Sequence, residues 1–174
     1  MRRIFLILAL VLTLVPAPAF ADAVTILVGP QTVSFGADLG EYYDIPPGLG
    51  VGMLVGLKLP LPLDFRFGRR NATENGTGSD VVYEWMELGT RFRLGREGEN
   101  IRGGWFVGVG TYDLELRGLE FDTAPGGFIG MGVEQTVSDH FVGRLEVKGV
   151  YWKSDTFNTD GASLNMSLLF GYTW

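Results

Sequence analysis

From residue 24 onward the chain alternates apolar and small or polar residues in twos. In its last segment Leu164, Met166, Leu168, Phe170, Tyr172 and Trp174 are apolar at every second position, and between them stand Ser163, Asn165, Ser167, Leu169, Gly171 and Thr173. One parity is wholly apolar and the other holds a single leucine, which is the mark of a strand whose two faces meet different surroundings. The rhythm recurs in Leu49, Val51, Met53, Val55, Leu57 and Leu59 against Gly50, Gly52, Leu54, Gly56 and Lys58. It returns in Leu63, Phe65 and Phe67 against Asp64, Arg66 and Gly68, and in Met86, Leu88, Thr90, Phe92 and Leu94 against Glu87, Gly89, Arg91 and Arg93. Trp105, Val107 and Val109 alternate with Gly104, Phe106, Gly108 and Gly110. Ile129, Met131 and Val133 alternate with Gly130, Gly132 and Glu134, and Phe141, Leu145 and Val147 with Arg144, Glu146 and Lys148. These are seven strands. An eighth, somewhere in Val24 to Phe35, is the least regular, because Pro30 interrupts it and neither parity is cleanly apolar. A proline there calls for a strand edge or a bulge.

The connections predict how the strands are joined. Gly36 to Pro47 is long, Pro60 to Pro62 short, Asn71 to Asp80 long and Gly95 to Asn100 fairly short. Arg117 to Pro125 is long, Ser138 to His140 short and Lys153 to Gly161 long. An even number of strands with short turns at one end and long loops at the other describes a bacterial transmembrane barrel with both chain ends in the periplasm. The expected fold is therefore all-β, an eight-stranded antiparallel up-and-down transmembrane β-barrel.

The start of the chain reads as an address. Met1-Arg2-Arg3 is basic, Ile4 to Val15 is a run of twelve apolar residues, and Pro16 and Pro18 break it before Ala19-Phe20-Ala21. Twelve residues rise only about 18 Å as a helix, short of a hydrocarbon core of about 30 Å. The pattern is that of a secretory signal peptide with an A-x-A site formed by Ala19 and Ala21. Residues 1–21 are thus expected to be removed, leaving 22–174 as the barrel domain and moving the net charge from −6 to −8. That charge argues against nucleic acid as a partner. No later stretch is apolar for long enough to form a membrane helix, a test to which barrel strands are blind.

Alternation alone does not say which face meets water, since a soluble lipocalin-like barrel turns its apolar face inward. The chemistry of the second face decides for the membrane. It mixes glycine with charges of both signs, whereas a wetted surface would hold few glycines, and a narrow lumen accepts small residues and a few large charged ones that pair. Lys58, Asp64, Arg66, Glu87, Arg91, Arg93, Glu134, Arg144, Glu146 and Lys148 are therefore assigned to an interior ion-pair network. A three-residue turn at 138–140 sets Glu134 opposite Arg144, and one at 60–62 would set Lys58 opposite Asp64. With six bases and four acids inside, the surplus of acid falls in the long connections, as Asp38, Glu41, Asp44, Glu74, Asp80, Glu120, Asp122, Asp155 and Asp160.

Composition removes much catalytic chemistry. The chain has no cysteine, hence no disulfide, thiolate metal site or thiol nucleophile. Its one histidine, His140, falls in a turn with no evident catalytic partner and reads as a solvated residue. The pairs Gly108, Gly110 and Gly130, Gly132 lie inside strands and so are not phosphate-cradling loops. The sequons at Asn71, Asn75 and Asn165 are read as chance. The loop acids fit no calcium-loop spacing, and Glu87, Glu134 and Glu146 face arginines as structural partners rather than general acids. No cofactor, metal or catalytic residue is expected.

The closing strand with Phe170, Tyr172 and Trp174, the hairpin from Gly126 to Trp152 and the segment Gly103 to Thr111 resemble the small outer-membrane β-barrel superfamily typified by the OmpA membrane domain and OmpX. The resemblance implies export by the general secretory route, and insertion by the outer-membrane barrel assembly machinery with Phe170, Tyr172 and Trp174 as assembly signal. It also implies lipopolysaccharide as a neighbour. The family's lipid A deacylase and palmitoyltransferase rely on a histidine working with a serine, a pattern this chain lacks. The expectation is a monomeric structural or surface-interaction barrel, with the acidic loops as the contact face for a surface ligand. The rivals are a narrow pore or small hydrophobic-molecule channel like OmpW-type barrels, and a soluble periplasmic lipid-binding barrel.

Overall fold

The computed structural model describes residues 24–36, 48–57, 62–73, 78, 80–95, 99–116, 123–154 and 159–174. They form eight strands: β1 Val24–Gly36, β2 Gly48–Leu57, β3 Leu63–Thr73, β4 Asp80–Leu94, β5 Ile101–Leu116, β6 Thr123–Thr136, β7 Phe141–Ser154 and β8 Thr159–Thr173. Each strand pairs antiparallel with the next, and β8 returns to β1, closing an up-and-down barrel. Closure leaves no unpaired sheet edge, which is what a β structure needs if it is to sit in hydrocarbon. The first and last described residues meet at one end, where the Trp174 amide donates to the Val24 carbonyl at 3.0 Å. That end is called the terminal end below, and the opposite one the loop end.

The strands are longer than the alternation marks. β4 begins at Asp80 rather than Met86, and β3 continues to Thr73. The β3 extension carries Arg69, Arg70 and Asn71 in succession, and in that of β4 the apolar parity passes to Val81, Tyr83 and Trp85, so the pattern of neither strand extends into it. The turn at 138–140 closes as predicted, with Val137 bonded to Phe141 and Glu134 opposite Arg144. The β2–β3 connection differs: Leu57, not Leu59, lies opposite Leu63, and Asp64 faces Gly56. The pairing of Lys58 with Asp64 is therefore corrected, and Lys58 itself lies outside the described residues. Because the slip is by two residues, every side chain keeps its face.

Pro30 also departs from expectation. It occupies neither an edge nor a bulge, for β1 and β2 stay in one register across it, with Gly29 opposite Gly52, Pro30 opposite Val51 and Gln31 opposite Gly50. Its missing N–H falls on the other side. The ladder with β8 runs through Thr25 to Val28, lapses at Gly29 and Pro30, and resumes at Gln31 in the same register.

The outer surface carries the apolar parity. Val109 is 65% exposed, Ile129 62% and Met131 68%, and Leu49, Val51, Leu145, Leu164, Leu168 and Phe170 stand out beside them. Toward the terminal end this surface becomes aromatic. Phe92 stacks on Trp105 with ring centres 4.0 Å apart, and Tyr172 lies between His140 at 5.1 Å and Trp174 at 5.0 Å. Rings of this kind mark the level where hydrocarbon gives way to headgroups. A soluble barrel would hide these side chains; this one turns them outward.

Candidate functional site in the lumen

The lumen is built by the other parity of every strand and is filled in tiers. Nearest the terminal end, Leu27, Leu54, Val142 and Leu169 form a small apolar cluster. Level with and above it lies a net of buried charges. Glu146 of β7, 2% exposed, accepts from Arg66 Nη1 at 2.6 Å and Arg91 Nη2 at 2.8 Å. Asp64 accepts from Arg91 Nη2 at 2.7 Å and Nε at 3.1 Å, and from Arg66 Nη2 at 3.1 Å. Arg144 donates from Nε and Nη2 to Glu134, the first at 3.0 Å. Arg93, at the mouth, reaches Glu134 at 3.4 Å. Further toward the loop end Lys148 holds both oxygens of Glu87 at 2.6 Å, and the Tyr112 hydroxyl donates to the same carboxylate at 3.1 Å.

So many shared donors have a physical reason. A carboxylate out of water costs several kcal/mol unless its oxygens find strong donors, and guanidinium forks supply two at a time. Aromatic faces take up the rest of the charge's surroundings, with the Arg66 guanidinium 4.0 Å above the Phe106 ring and Lys148 Nζ 5.3 Å from that of Phe128.

The loop-end half of the lumen is aromatic, and the alternation does not anticipate it. Tyr83 and Trp85 of β4, Tyr112 of β5 and Trp152 of β7 pack with ring centres 5.1 to 6.4 Å apart, and Phe35 meets Tyr83 edge-on at 5.0 Å. Glycines on neighbouring strands make room for them. A Cβ at Gly68 would overlap the Trp85 ring, one at Gly161 the Trp152 ring, and one at Gly126 would come 2.8 Å from Tyr112. Beside this tier lies Arg70, 2% exposed, its guanidinium 5.2 Å from the Phe35 ring. It belongs to the inner parity of β3, as Arg102 does to that of β5, and neither is in the predicted network. The buried Gln31, Ser163, Asn165 and Ser167 complete the polar lining.

Outside the lumen the predicted positions are scattered. His140 is exposed in the 138–140 turn, with Nδ1 3.1 Å from the Thr173 carbonyl and its ring stacked on Tyr172. Phe170, Tyr172 and Trp174 all point outward from β8 and its end. Of the loop acids, Asp80 is exposed at the start of β4 and Asp160 stands opposite Lys153 in register; the other seven, with Ala19 and Ala21, lie outside the described residues. Among the described residues no three histidine, aspartate or glutamate side chains are grouped to hold a metal.

An apolar exterior around an ion-paired interior is the arrangement of a protein immersed in lipid. The chain is a transmembrane β-barrel of the outer-membrane type. No protein-family model and no curated protein matches the sequence. Solved structures match its fold over nearly its whole length at low identity. Neisserial surface protein A is 12% identical over 87% of this chain and 97% of its own, with a TM-score of 0.70. The outer membrane protein OprG of Pseudomonas aeruginosa is 10% identical over 88% and 97%, with 0.60. Ail, the attachment invasion locus protein of Yersinia pestis, is 16% identical over 88% and 99%, with 0.56; a second structure of Ail holds the heparin analogue sucrose octasulfate.

Proposed function

We propose that this chain works in the outer membrane as a closed, monomeric barrel of structural or surface-interaction role, without enzymatic activity, and that its acidic connections are the contact face. The observation that carries the reading is the tiered filling of the lumen, in which buried ion pairs at one end and stacked rings at the other occupy the path that a solute would take. In this reading the leader through Ala21 is removed on export, the terminal end faces the periplasm, and lipopolysaccharide surrounds the loop end. The barrel assembly machinery would recognise Phe170, Tyr172 and Trp174. Ail is seen with a polyanion, but the acids of this chain's long connections would repel one, so a neutral or cationic surface suits them better.

Planar-bilayer recording of the purified, folded chain tests the closed reading. The expected trace has no steady single-channel openings. Steady openings whose size changes in Glu134→Gln or Arg144→Gln would replace it with a narrow pore.

One feature favours a second reading, a conduit for small apolar molecules. A recess of about 690 Å³ on the loop-end half is lined by inward residues such as Phe128 and Val150 and by outward ones such as Ile129 and Leu164, so it opens toward the bilayer. Faster entry of a small apolar dye into vesicles holding the barrel, slowed by Gly149→Leu, would support it.

A further inference from the structure

At the terminal end of the lumen, guanidinium outnumbers carboxylate. Among the described residues Arg66, Arg91, Arg93, Arg102 and Arg144 share this end with Asp64, Glu99, Glu134 and Glu146, an excess of one positive charge. The excess is concentrated at one place. Arg91, Arg93 and Arg102 line a pocket together with Glu134, its wall formed by Gly104 and Gly132. The two glycines are opposite each other in register, with Arg93 beyond one and Glu146 beyond the other, so two missing side chains leave the gap.

Glu134 does not satisfy the three guanidinia around it. Its tight partner is Arg144, through Nε and Nη2. Arg91 Nη1 stands at 3.6 Å and Arg93 Nη2 at 3.4 Å from it, both longer than a charged N–H···O hydrogen bond. Arg91 commits Nε and Nη2 to Asp64 and Glu146, which leaves Nη1 turned toward the pocket side. Arg102 faces Glu134 in register and spends its Nε on the Glu99 carbonyl at 3.1 Å.

The pocket measures about 10 Å³, room for one water-sized occupant. That room is much too small for phosphate or sulfate, and a chloride ion, a little larger than water, needs the exposed Arg93 side chain to shift. Burial is graded along it, for the Arg93 side chain is 38% exposed at the mouth and that of Arg91 8% within, so an ion can enter from solvent and meet a weakly screened charge inside.

We propose that Arg91, Arg93 and Arg102 form a binding site for a single monatomic anion, chloride being the abundant one, at the terminal-end mouth of the lumen. The site balances the surplus guanidinium charge whether the barrel is closed or conducts, so it stands apart from the reading of its role.

The folded chain in detergent tests this. Its melting temperature is followed as sodium chloride replaces sodium gluconate at constant ionic strength, with sodium phosphate as a third probe. A ligand that binds only the folded state raises stability in a saturating way. The expected result is a saturating rise with chloride or bromide that gluconate and phosphate do not give. Arg93→Gln and Arg102→Gln should abolish that rise, while Arg69→Gln on the outer surface should leave it intact. Glu134→Gln should lower the half-saturating chloride concentration, because it removes the competing carboxylate. If the lumen variants fail to fold, broadening of the ³⁵Cl resonance by the unaltered barrel, reversed by bromide, gives an independent reading. Equal responses to chloride and gluconate, a matching response to phosphate, an undiminished response in both arginine variants, or no broadening would each overturn the proposal.

Discussion

Glu146 shows what a buried charge requires of its neighbours. Its two oxygens are held by Arg66 and Arg91, and Arg144 approaches at 3.8 Å. Replacing it by glutamine keeps the shape and removes the charge on which three guanidinia depend. Glu146→Gln should destabilise the barrel by about 3–5 kcal/mol, read as a fall in the urea midpoint of unfolding from lipid vesicles. The glycines bear a different load. Gly68 faces the Trp85 ring so closely that any Cβ would overlap it. Gly68→Ala should cost about 1–3 kcal/mol through overpacking, and much of that should return in Gly68→Ala/Trp85→Leu, since the two changes share one space. Asp64, Arg66, Glu134 and Arg144 could be placed inside from sequence because each stands on the polar parity of a strand whose other parity is apolar. Arg70 and Arg102 could not, since each stands where the neighbouring pattern is already mixed.

At the scale of the strand, the contrast between parities determines what can be read in advance. β8 sets Leu164 to Trp174 against serine, asparagine and glycine, and its outward and inward faces follow directly. In the loop-end half of β4, Val81, Tyr83 and Trp85 point inward while Asp80, Val82 and Glu84 hold the outward parity, so the apolar parity changes sides and the alternation from Met86 onward breaks. The aromatic tier was hidden for that reason, and only the continued parity of Glu87, Gly89 and Arg91 leads back to it. The assignment of faces predicts an asymmetry within β8. Leu168→Arg, mid-strand on the lipid side, should cost about 2–4 kcal/mol near the bilayer midplane, and vesicle unfolding with Ser167→Arg as the inward control measures it. Equal tolerance of both would reverse the faces.

For the molecule as a whole, the closed cylinder followed from counting strands and alternating connections, and the filling of its lumen from the signs of the inward charges. The order of the tiers did not follow, because it depends on which glycine lies beside which ring across three or four strands. The end of the chain acts at this scale as well, since the Trp174 amide joins β8 to the start of β1 and its ring meets Tyr172. Removing Trp174 should lower the yield of heat-modifiable barrel recovered from cells, seen as a weaker fast-migrating band in unheated gel samples. The lapse at Gly29 and Pro30 has a mechanical meaning in this setting. Among the described residues, the ladder joining the first strand to the last is the one that misses rungs, and that join has no covalent turn to hold it. Thermal opening should therefore begin along this seam, like a zip with two teeth gone, while the seven turn-linked joins stay shut.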